Sequence, residues 1–472
     1  MIDHSSLPAP LLEALSGRFG IRFSCASAVR EHHGKDESSL VPMPPDAVLF
    51  AASTEEVAFA VGVCHAHHVP VIAYGTGTSL EGQLLAAQGG VCIDLSQMNR
   101  VLAIRPEDLD ASVEAGVTRK ALNAALHGTG LFFPIDPGAD ASLGGMAATR
   151  ASGTNAVRYG TMRENVMAAT VVLADGRIIK TGSRARKSSA GYDLTRLFVG
   201  SEGTLGIITE LTVRLHPLPE TIACAVCAFP EIDSAVAMVI AAIQLGIPVA
   251  RIELLDALSI TAINRYSKTT LRELPTLFFE LHGSAASVAE QTQTLQALAT
   301  EQHGMDFAWA ERPEDRTRLW QARHDAYYAC LSLQPGARSI TTDVCVPISR
   351  LADCIAATCA DLATSGLVAP LLGHVGDGNF HMLVLVQPDK PEMQAKAQNF
   401  TQRLVERAIA MDGTCTGEHG IGLGKRKYMA LEHGTNALDV MRAIKQALDP
   451  HNLMNPGKIL PDKVGAGETA PR

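Results

Sequence analysis

The chain has 472 residues, of which 47% are hydrophobic and 19% are charged, as in folded domains rather than in a disordered chain. A net charge of −9 and an aromatic content of only 5% argue against a nucleic-acid partner, because a protein surface that binds one needs basic groups and stacking rings. The length predicts about two to four domains. The ten cysteines are scattered along the chain, which is typical of a reducing compartment.

The sequence predicts a cytoplasmic protein. No stretch is as long and apolar as a transmembrane helix, and the opening residues MIDHSSLPAPLLEALSG lack the basic start and apolar core of a signal peptide. A location peripheral to the inner membrane also fits these observations.

The first half of the chain predicts alternating strands and helices. Residues 46–74 have the pattern of a strand–helix–strand unit, in which Ser53 and Glu56 have the spacing of a capping box. Asp175-Gly176 lies between two β-prone runs and predicts a hairpin. Further strands are predicted at 91–95, 111–117 and 204–219, and a further helix at 118–127.

After Pro219 the pattern changes to long helices between short strands, which predicts an α+β arrangement with a helix-covered sheet. Helices are predicted at 231–245, 285–302, 349–365 and about 436–448.

Two groups of metal-type side chains are predicted to be structural. Cys224 and Cys227 form a CxxC inside a predicted strand, where their side chains would point to opposite faces. The cysteine and histidines of 64–68 lie at a helix end without a nearby carboxylate, which favours solvated side chains over a metal site.

Four glycine-bearing stretches predict a ligand site in the first half. They are YGTGTSLEG (74–82), 137–160, GYDLTRL (191–197) and VGSEGTLGIIT (199–209). Glycine at 75 and 77 permits positive φ and close backbone approach, so the amides and hydroxyls of 76–79 can form an anion-binding nest for a pyrophosphate. The loop is neither a GxGxxG fingerprint nor a P-loop. The stretch 137–160 is long and has small side chains, as expected of backbone that lines an elongated ligand.

The stretch GHVGDGNFH (373–381) places His374 and His381 on either side of a predicted turn. Two imidazoles leave a divalent metal under-coordinated, and Glu418 in GTCTGEHGIGLGK (413–425) would complete a site with two histidines, one acid and an open position. Two histidines beside a structural turn explain the pattern equally well, so the residues alone leave both interpretations open.

The order of these motifs resembles the FAD-binding domain of the vanillyl-alcohol-oxidase type flavoproteins. The most similar branch contains D-lactate dehydrogenases, glycolate oxidase D-subunits and D-2-hydroxyglutarate dehydrogenases, and the similarity runs from about residue 42 to 460. It implies an FAD-binding (PCMH-type) lobe of two subdomains and a cap domain with a helix-covered antiparallel sheet. The implied segments are an N-terminal helical segment (1–45), the FAD-binding domain (46–219), the cap domain with the metal site (220–425), a C-terminal helical segment that returns to the FAD lobe (426–460) and a tail (461–472).

The resemblance implies FAD contacts by position. They fall at Gly75, Thr76, Gly77, Thr78, Ser79, Pro137, Gly138, Asp140, Leu143, Gly144, Gly145, Ser152, Gly153, Ala156, Tyr159, Glu202, Gly203, Ile208 and Asn455. The GTGTS loop has no histidine, where some relatives attach the flavin covalently, so non-covalent FAD is expected.

By the same resemblance, His374, His381 and Glu418 are ligands of zinc or manganese, His419 is the base, and Arg323 binds the substrate carboxylate. The implied reaction is oxidation of a short D-2-hydroxy acid, D-lactate to pyruvate first of all, with hydride transfer to flavin N5. Glycolate and D-2-hydroxyglutarate are the alternative substrates. The implied electron acceptors are cytochrome c, a quinone or an electron-transfer flavoprotein, and a homodimer is left open.

Two rival functions remain, a metal-dependent hydrolase without flavin and a non-catalytic subunit that keeps FAD for assembly.

The prediction of substrate length depends on Leu383. In a strand that begins at His381, the side chain of Leu383 points to the same face as His381 and towards the metal. The alternative is that Leu383 only packs in the core. Thr341 matches by position a lysine of the hydroxyglutarate branch, although Arg338 is a second candidate for that cation. An apolar wall without a cation favours a short substrate.

Overall fold

A computed structural model describes residues 7–462 of the chain. The chain forms two compact units. Unit 1 comprises the residues up to 151, residues 161–217 and the residues from 418 on, and unit 2 comprises residues 152–160 and 218–417. Residues 152–160 and 418–425 therefore belong to different units from those that the predicted domain boundaries suggest.

Helices and strands occur throughout the described residues. The helices are α1 (Ala9–Phe19), α2 (Ser27–His33), α3 (Thr54–Ala66), α4 (Arg119–Ala125), α5 (Leu143–Thr149), α6 (Ala156–Tyr159), α7 (Met162–Asn165), α8 (Leu194–Phe198), α9 (Ile232–Gln244), α10 (Ala257–Ser267), α11 (Ala285–Glu301), α12 (Pro313–Leu331), α13 (Leu351–Ser365), α14 (Pro391–Ala410) and α15 (Met429–Leu448). The strands are β1 (Phe23–Ser24), β2 (Ala47–Phe50), β3 (Val71–Tyr74), β4 (Val91–Asp94), β5 (Val101–Arg105), β6 (Asp110–Glu114), β7 (Leu131–Phe132), β8 (Val166–Val172), β9 (Ile178–Lys180), β10 (Ile207–Arg214), β11 (His216–Pro217), β12 (Thr221–Ala228), β13 (Val249–Leu255), β14 (Thr276–Gly283), β15 (Met305–Ala310), β16 (Arg338–Thr341), β17 (Val344–Cys345), β18 (Leu371–His374) and β19 (Asn379–Val386).

Unit 1 contains two main sheets. In the first, with order β1-β2-β4-β3, the strands β2, β3 and β4 are parallel. In the second, with order β5-β6-β10-β8-β9, the pairs are antiparallel, and β8 and β9 form the predicted hairpin around Gly176. Buried side chains of the second sheet form one apolar cluster, and those of the first sheet form another that also includes Val172 of β8 and Ile207 of β10.

The first helix of the predicted strand–helix–strand unit begins as expected, with one difference in its cap. The Ser53 side chain accepts a hydrogen bond from the Glu56 N–H (3.3 Å). The Glu56 carboxylate accepts the N–H of Ala52 (2.8 Å) and pairs with Arg22. The second arm of the capping box therefore reaches the residue before the N-cap rather than the N-cap itself.

Unit 2 is built on an antiparallel sheet with order β15-β12-β14-β13-β18-β19-β16, in which β17 also pairs with β19. Its helices include α9, α11 and α13, whose bounds differ from the predicted ones by two residues or fewer. This confirms the predicted α+β class with a helix-covered antiparallel sheet. Cys224 and Cys227 both lie on β12, and burial raises the pKa of Cys224 to about 12 and that of Cys227 to about 11, which keeps both as thiols near neutral pH.

The C-terminal helix α15 belongs to unit 1 and is interrupted at Gly434, whose φ of 71° is not helical. Most of the predicted tail, from residue 463 on, lies outside the described residues. Within the described part of the chain, the helices are too short or too polar to cross a membrane.

Gly378, in the turn between β18 and β19, provides a test of this fold. Its φ is +80°, and a Cβ there would overlap the carbonyl oxygen of Val346. Gly366 has a similar φ of +71° but open space around it. We expect Gly366→Ala to lower the free energy of unfolding by about 1–2 kcal/mol through backbone strain alone. Gly378→Ala should cost about 1–3 kcal/mol more because of the overlap. Urea unfolding measures both, and equal losses would contradict this packing.

Candidate active site

His374 and His381 lie on neighbouring strands of unit 2. The register pairs Leu372 with His381 and His374 with Asn379, so both histidines project from the same face of the sheet. Their ring centroids are 5.3 Å apart and the rings are nearly perpendicular. The connecting turn is closed by the N–H of Asp377, which donates to the His374 carbonyl (3.1 Å). The two histidines of the glycine-rich motif are thus brought together across a hairpin.

Each imidazole is oriented through its Nδ1 atom. His381 Nδ1 lies 2.9 Å from the carbonyl oxygen of Thr342, and His374 Nδ1 lies 2.6 Å from a carboxylate oxygen of Glu253. A carbonyl only accepts hydrogen bonds, so His381 carries its proton on Nδ1 and presents the lone pair of Nε2. Metal-binding histidines in proteins are held in this way, so the donor set fits a divalent metal.

Glu253 links this histidine pair to Arg323. The carboxylate is fully buried on β13, accepts a hydrogen bond from Arg323 Nε (2.8 Å) and lies 2.7 Å from Arg323 Nη2 in the same ion pair. Burial opposes its ionisation, but the electrostatic interactions and hydrogen bonds with His374 and Arg323 outweigh that effect and lower the pKa of Glu253. Sequence reasoning found Arg323 and missed Glu253. The sequence did contain a sign of Glu253, because it is the one carboxylate among the strand residues ARIELL (250–255).

Asp343 holds the last residues of unit 2, which end at Gly417, beside strand β19. Its buried carboxylate accepts from Asn379 Nδ2 (2.8 Å) and from the hydroxyl of Thr416 (2.7 Å). A Cβ at Gly417 would overlap the Asn379 amide, so only glycine allows this close approach. The chain that leads into Glu418 is therefore held beside the strand that carries His381.

Glu418 and His419 open the last segment of unit 1. The His419 carbonyl accepts from Gln83 Nε2 (2.8 Å), and His419 Nδ1 lies 3.9 Å from Glu81 Oε1. Lys425 Nζ lies 3.1 Å from the same Glu81 oxygen. Glu81 thus lies between a histidine and an ammonium group, and sequence reasoning did not identify it.

Glu202 holds the glycine turn that follows His419. Its carboxylate accepts the N–H of Ile421 (2.6 Å) and of Gly422 (2.8 Å). Burial raises the pKa of Glu202, although these amides oppose the increase. Glu202 was predicted to contact FAD, and here its side chain is used to order the turn.

A cavity of about 360 Å³ in unit 1 contains the first glycine loop. It is lined by the predicted residues Gly75 and Thr76 and by residues that were not predicted, which are Ser96, Asn99, Gly116, Val117, Thr118, Ala121 and Ser142. The Ser142 hydroxyl is buried without a hydrogen-bond partner among the described residues. An unsatisfied hydroxyl beside glycine backbone fits a bound phosphate-containing cofactor.

The additional lining residues had a signal in the sequence. Parallel strands β3 and β4 end at the same edge of their sheet, so Ser96 and Asn99, shortly after β4, lie on the same side as the glycine loop after β3. Small polar residues directly after a buried parallel strand were the clue to this part of the site.

The remaining predicted FAD contacts are divided between the two units. In unit 1 several of them make contacts within the protein. The N–H groups of Leu143 and Gly144 donate to the carbonyls of Val117 and Ala115, and the Asp140 carboxylate accepts the N–H of Lys120. Asn455 Nδ2 donates to the carbonyls of Gln83 and Glu202, and Ile208 is buried in the core. Gly77 and Gly203 have positive φ, and Thr78, Ser79, Pro137 and Gly138 lie in loops. Gly145 lies in α5, a helix within the stretch 137–160 that was not predicted. Ser152, Gly153, Ala156 and Tyr159 belong to unit 2, where the Tyr159 hydroxyl lies 2.7 Å from His282 Nδ1.

Comparison with protein families assigns both parts of this architecture. The profile of the FAD binding domain matches residues 45–182, and that of the FAD linked oxidases, C-terminal domain, matches residues 218–459. The chain belongs to the FAD-linked oxidase family. The predicted FAD cofactor is therefore confirmed, and the chain is an FAD-dependent oxidoreductase.

Similarity to named relatives extends along nearly the whole chain. This flavoprotein is 55% identical to the probable mitochondrial D-lactate dehydrogenase of Danio rerio over 93% of its own length and 88% of that protein. It is 47% identical to the mitochondrial D-lactate dehydrogenase [cytochrome] of Arabidopsis thaliana, over 98% and 82%. It is 35% identical to the glycolate oxidase subunit GlcD of Bacillus subtilis (strain 168), over 93% of both chains.

The fold is that of p-cresol methylhydroxylase. A crystal structure of that enzyme with bound substrate matches with a TM-score of 0.77 at 19% identity, covering 95% of this flavoprotein and 96% of the enzyme. At this identity the likeness concerns the fold alone. It confirms the predicted PCMH-type FAD-binding lobe.

Gly77 provides a test of the FAD loop. Its φ is +75°, and a Cβ there would overlap the Tyr74 hydroxyl. Gly77→Ala must move the loop, so we expect FAD affinity to fall about tenfold, the equivalent of about 1.4 kcal/mol. Gly62→Ala is the matched control because Gly62 lies in α3 with open space around it. Flavin fluorescence titration of the apoprotein measures both affinities. Wild-type affinity in Gly77→Ala would contradict the assignment of this loop.

Proposed function

We propose that this flavoprotein is a dehydrogenase of short D-2-hydroxy acids and oxidises D-lactate to pyruvate. The observation that carries the proposal is the grouping of Arg323 with the histidine pair through Glu253, at distances of 2.6–2.8 Å. A guanidinium beside two metal-type imidazoles suits a substrate that carries a carboxylate next to a hydroxyl. The relatives named D-lactate dehydrogenase support this substrate, because the similarity extends over most of both chains.

The proposed metal ligands are His374, His381 and Glu418, with zinc or manganese as the ion. Thr416 and Gly417 lie beside Asp343 and Asn379, and Glu418 follows Gly417 at the ordinary Cα spacing of about 3.8 Å. Chain connectivity thus supports a carboxylate close to the histidine strand. Such an ion would lower the pKa of the substrate hydroxyl.

The remaining proposed roles belong to Arg323 and His419. Arg323 binds the substrate carboxylate with the guanidinium edge that the Glu253 ion pair does not use. His419 takes the hydroxyl proton, and Glu81 near its Nδ1 favours the imidazolium that results. FAD, when bound, would supply the acceptor for the hydride that leaves the substrate carbon.

The short-substrate proposal is supported by the strand register of unit 2. Thr341 lies opposite Leu383, and Leu383 is buried in an apolar cluster with Phe278 and Trp320. Arg338 pairs with Val386, five residues beyond His381 on β19, which is about 17 Å away along an extended strand. Arg338 is therefore too distant to bind a second substrate carboxylate near His381.

Other parts of the prediction remain proposals. The word cytochrome in a relative's name favours a cytochrome as the electron acceptor, with a quinone or an electron-transfer flavoprotein as alternatives. Two relatives are named as mitochondrial, so the cytoplasmic location and the membrane-peripheral alternative stay predictions. The homodimer also stays a prediction. A hydrolase without flavin is disfavoured by the FAD binding domain, whereas the relative named as a glycolate oxidase subunit keeps glycolate as a candidate substrate. D-2-hydroxyglutarate is the other alternative.

The substrate proposal is tested by comparing kcat/KM for D-lactate, glycolate, D-2-hydroxybutyrate and D-2-hydroxyglutarate with an artificial electron acceptor. We expect D-lactate to bleach the flavin absorbance and to exceed D-2-hydroxyglutarate about 100-fold in kcat/KM. The reason is that an unpaired buried polar group costs about 1–3 kcal/mol and a charge costs more. D-2-hydroxyglutarate as the best of the four acids would refute the short-substrate proposal.

The role of His419 is tested by His419→Asn. We expect FAD and metal content to stay at wild-type levels while turnover falls about 10²–10⁴-fold, the usual effect of losing a general base. His433→Asn is the control, because His433 is an exposed histidine on α15. Stopped-flow reduction of the flavin isolates the chemical step. Unchanged flavin reduction in His419→Asn would remove this residue from the mechanism.

A further inference from the structure

We propose that Glu253 is a positioning residue, whose single carboxylate fixes both the metal ligand His374 and the substrate-binding Arg323. The inference rests on the proposed function, since it takes the roles of His374 and Arg323 from there. It adds a residue to which neither the motifs nor the resemblance had pointed.

The two carboxylate oxygens of Glu253 have separate partners. Oε1 lies 2.6 Å from His374 Nδ1, whereas Oε2 accepts a hydrogen bond from Arg323 Nε (2.8 Å) and lies 2.7 Å from Arg323 Nη2 in the same ion pair. Because Oε1 receives the Nδ1–H, the ring orientation of His374 is set and Nε2 is the nitrogen for a metal. Because Oε2 accepts the Nε–H and lies 2.7 Å from Nη2 in the same ion pair, the position of the guanidinium is set as well.

The backbone brings these groups together from three elements of unit 2. Strand β13 pairs with β18 so that Leu254 lies opposite Gly373, which places Glu253 and His374 one residue away from a paired position. Arg323 comes from α12. Glu253 is therefore the connection between a strand hairpin and a helix that otherwise carry their functional groups independently.

Fold stability alone does not account for this glutamate. It has no exposed surface, its register partner is Phe278, and its strand neighbours Ile252 and Leu254 are buried. Burying a carboxylate costs several kcal/mol, and replacing a buried ion pair by apolar side chains is often neutral or stabilising. An apolar residue would satisfy this strand, so the carboxylate is better explained by what it orients.

The chemistry of the proposed substrate requires such an orientation. A 2-hydroxy acid carries its carboxylate and its hydroxyl on adjacent carbon atoms, so the cation and the metal that bind them need a fixed separation. A single carboxylate in contact with both supports sets that separation before substrate binds. We therefore expect Glu253 to affect metal affinity and substrate binding together.

The experiment begins with wild-type protein, measured for Zn²⁺ affinity by competition with a chromogenic chelator and for D-lactate turnover. Wild-type protein without Zn²⁺ affinity or turnover would refute the proposed function itself. Given both, Glu253→Gln is compared with wild type, because the amide can accept from only one of the two partners. We expect the dissociation constant of Zn²⁺ to rise about 10–100-fold and the KM for D-lactate to rise, with FAD content unchanged.

The matched control is Asp361→Asn. Asp361 is also held by two hydrogen-bonding cationic groups, Arg403 at 2.7 Å and Arg407 at 3.1 Å, but on the outer helices α13 and α14. The Asp361→Asn variant should keep the Zn²⁺ affinity and the KM for D-lactate at wild-type values. Wild-type Zn²⁺ affinity in Glu253→Gln would overturn the proposal.

A double variant distinguishes orientation of His374 by Glu253 from neutralisation of the Arg323 charge. It also keeps the proposal testable if Glu253→Gln alone fails to fold. Glu253→Gln with Arg323→Met removes both buried charges, so no unpaired cation remains. If Glu253 positions His374, Zn²⁺ affinity stays weak in the double variant, while Arg323→Met alone binds Zn²⁺ within about threefold of wild type. Recovery of Zn²⁺ affinity in the double variant would show that Glu253 only neutralises Arg323, and would overturn the proposal.

Discussion

The antiparallel register of β13, β18 and β19 is the constraint on which the chemistry of unit 2 depends. Leu254 lies opposite Gly373, and Leu372 lies opposite His381. Because side chains alternate along a strand, a slip of one residue would turn each histidine to the other face of the sheet. The register is in turn protected by glycine. Gly378 closes the hairpin where a Cβ would overlap Val346, and Gly373 lies against Phe380 in the same way.

In unit 1, a buried carboxylate, that of Glu202, holds the backbone of the segment that follows His419. The segment after His419 is rich in glycine and has little side-chain packing of its own, so its amides need acceptors. Glu202 supplies two acceptor oxygens for Ile421 and Gly422, and Asn455 donates to the Glu202 carbonyl. The candidate base therefore belongs to a loop whose shape is determined by a buried acid far away in the sequence.

These contacts explain how much could be predicted from the sequence. Glycine and histidine in short motifs are local signals, and they predicted the glycine loop of the FAD site and the histidine hairpin, whereas Arg323 was implied only by the family resemblance. The helix-covered sheet followed from periodicity, because long amphipathic segments alternate with short apolar ones. Glu253 could not be found in this way, since its partner His374 lies 121 residues further along the chain. Leu383 shows the same limit: its strand face was predicted correctly, whereas its apolar neighbours Phe278 and Trp320 come from distant segments.

Charge balance connects the proposed parts of unit 2. Glu253 and Arg323 are both largely buried and neutralise one another. A substrate carboxylate that approaches Arg323 is then an additional negative charge in a site of low dielectric constant, and an uncompensated charge there is costly. Neutral imidazoles do not offset it, but a divalent ion held by His374, His381 and Glu418 would, since a ligand set with a single anionic member leaves the ion a net positive charge. On this reasoning the ion would contribute to binding an anionic substrate as much as to activating its hydroxyl. Two histidines, rather than a cluster of carboxylates, are the ligands that suit such a substrate.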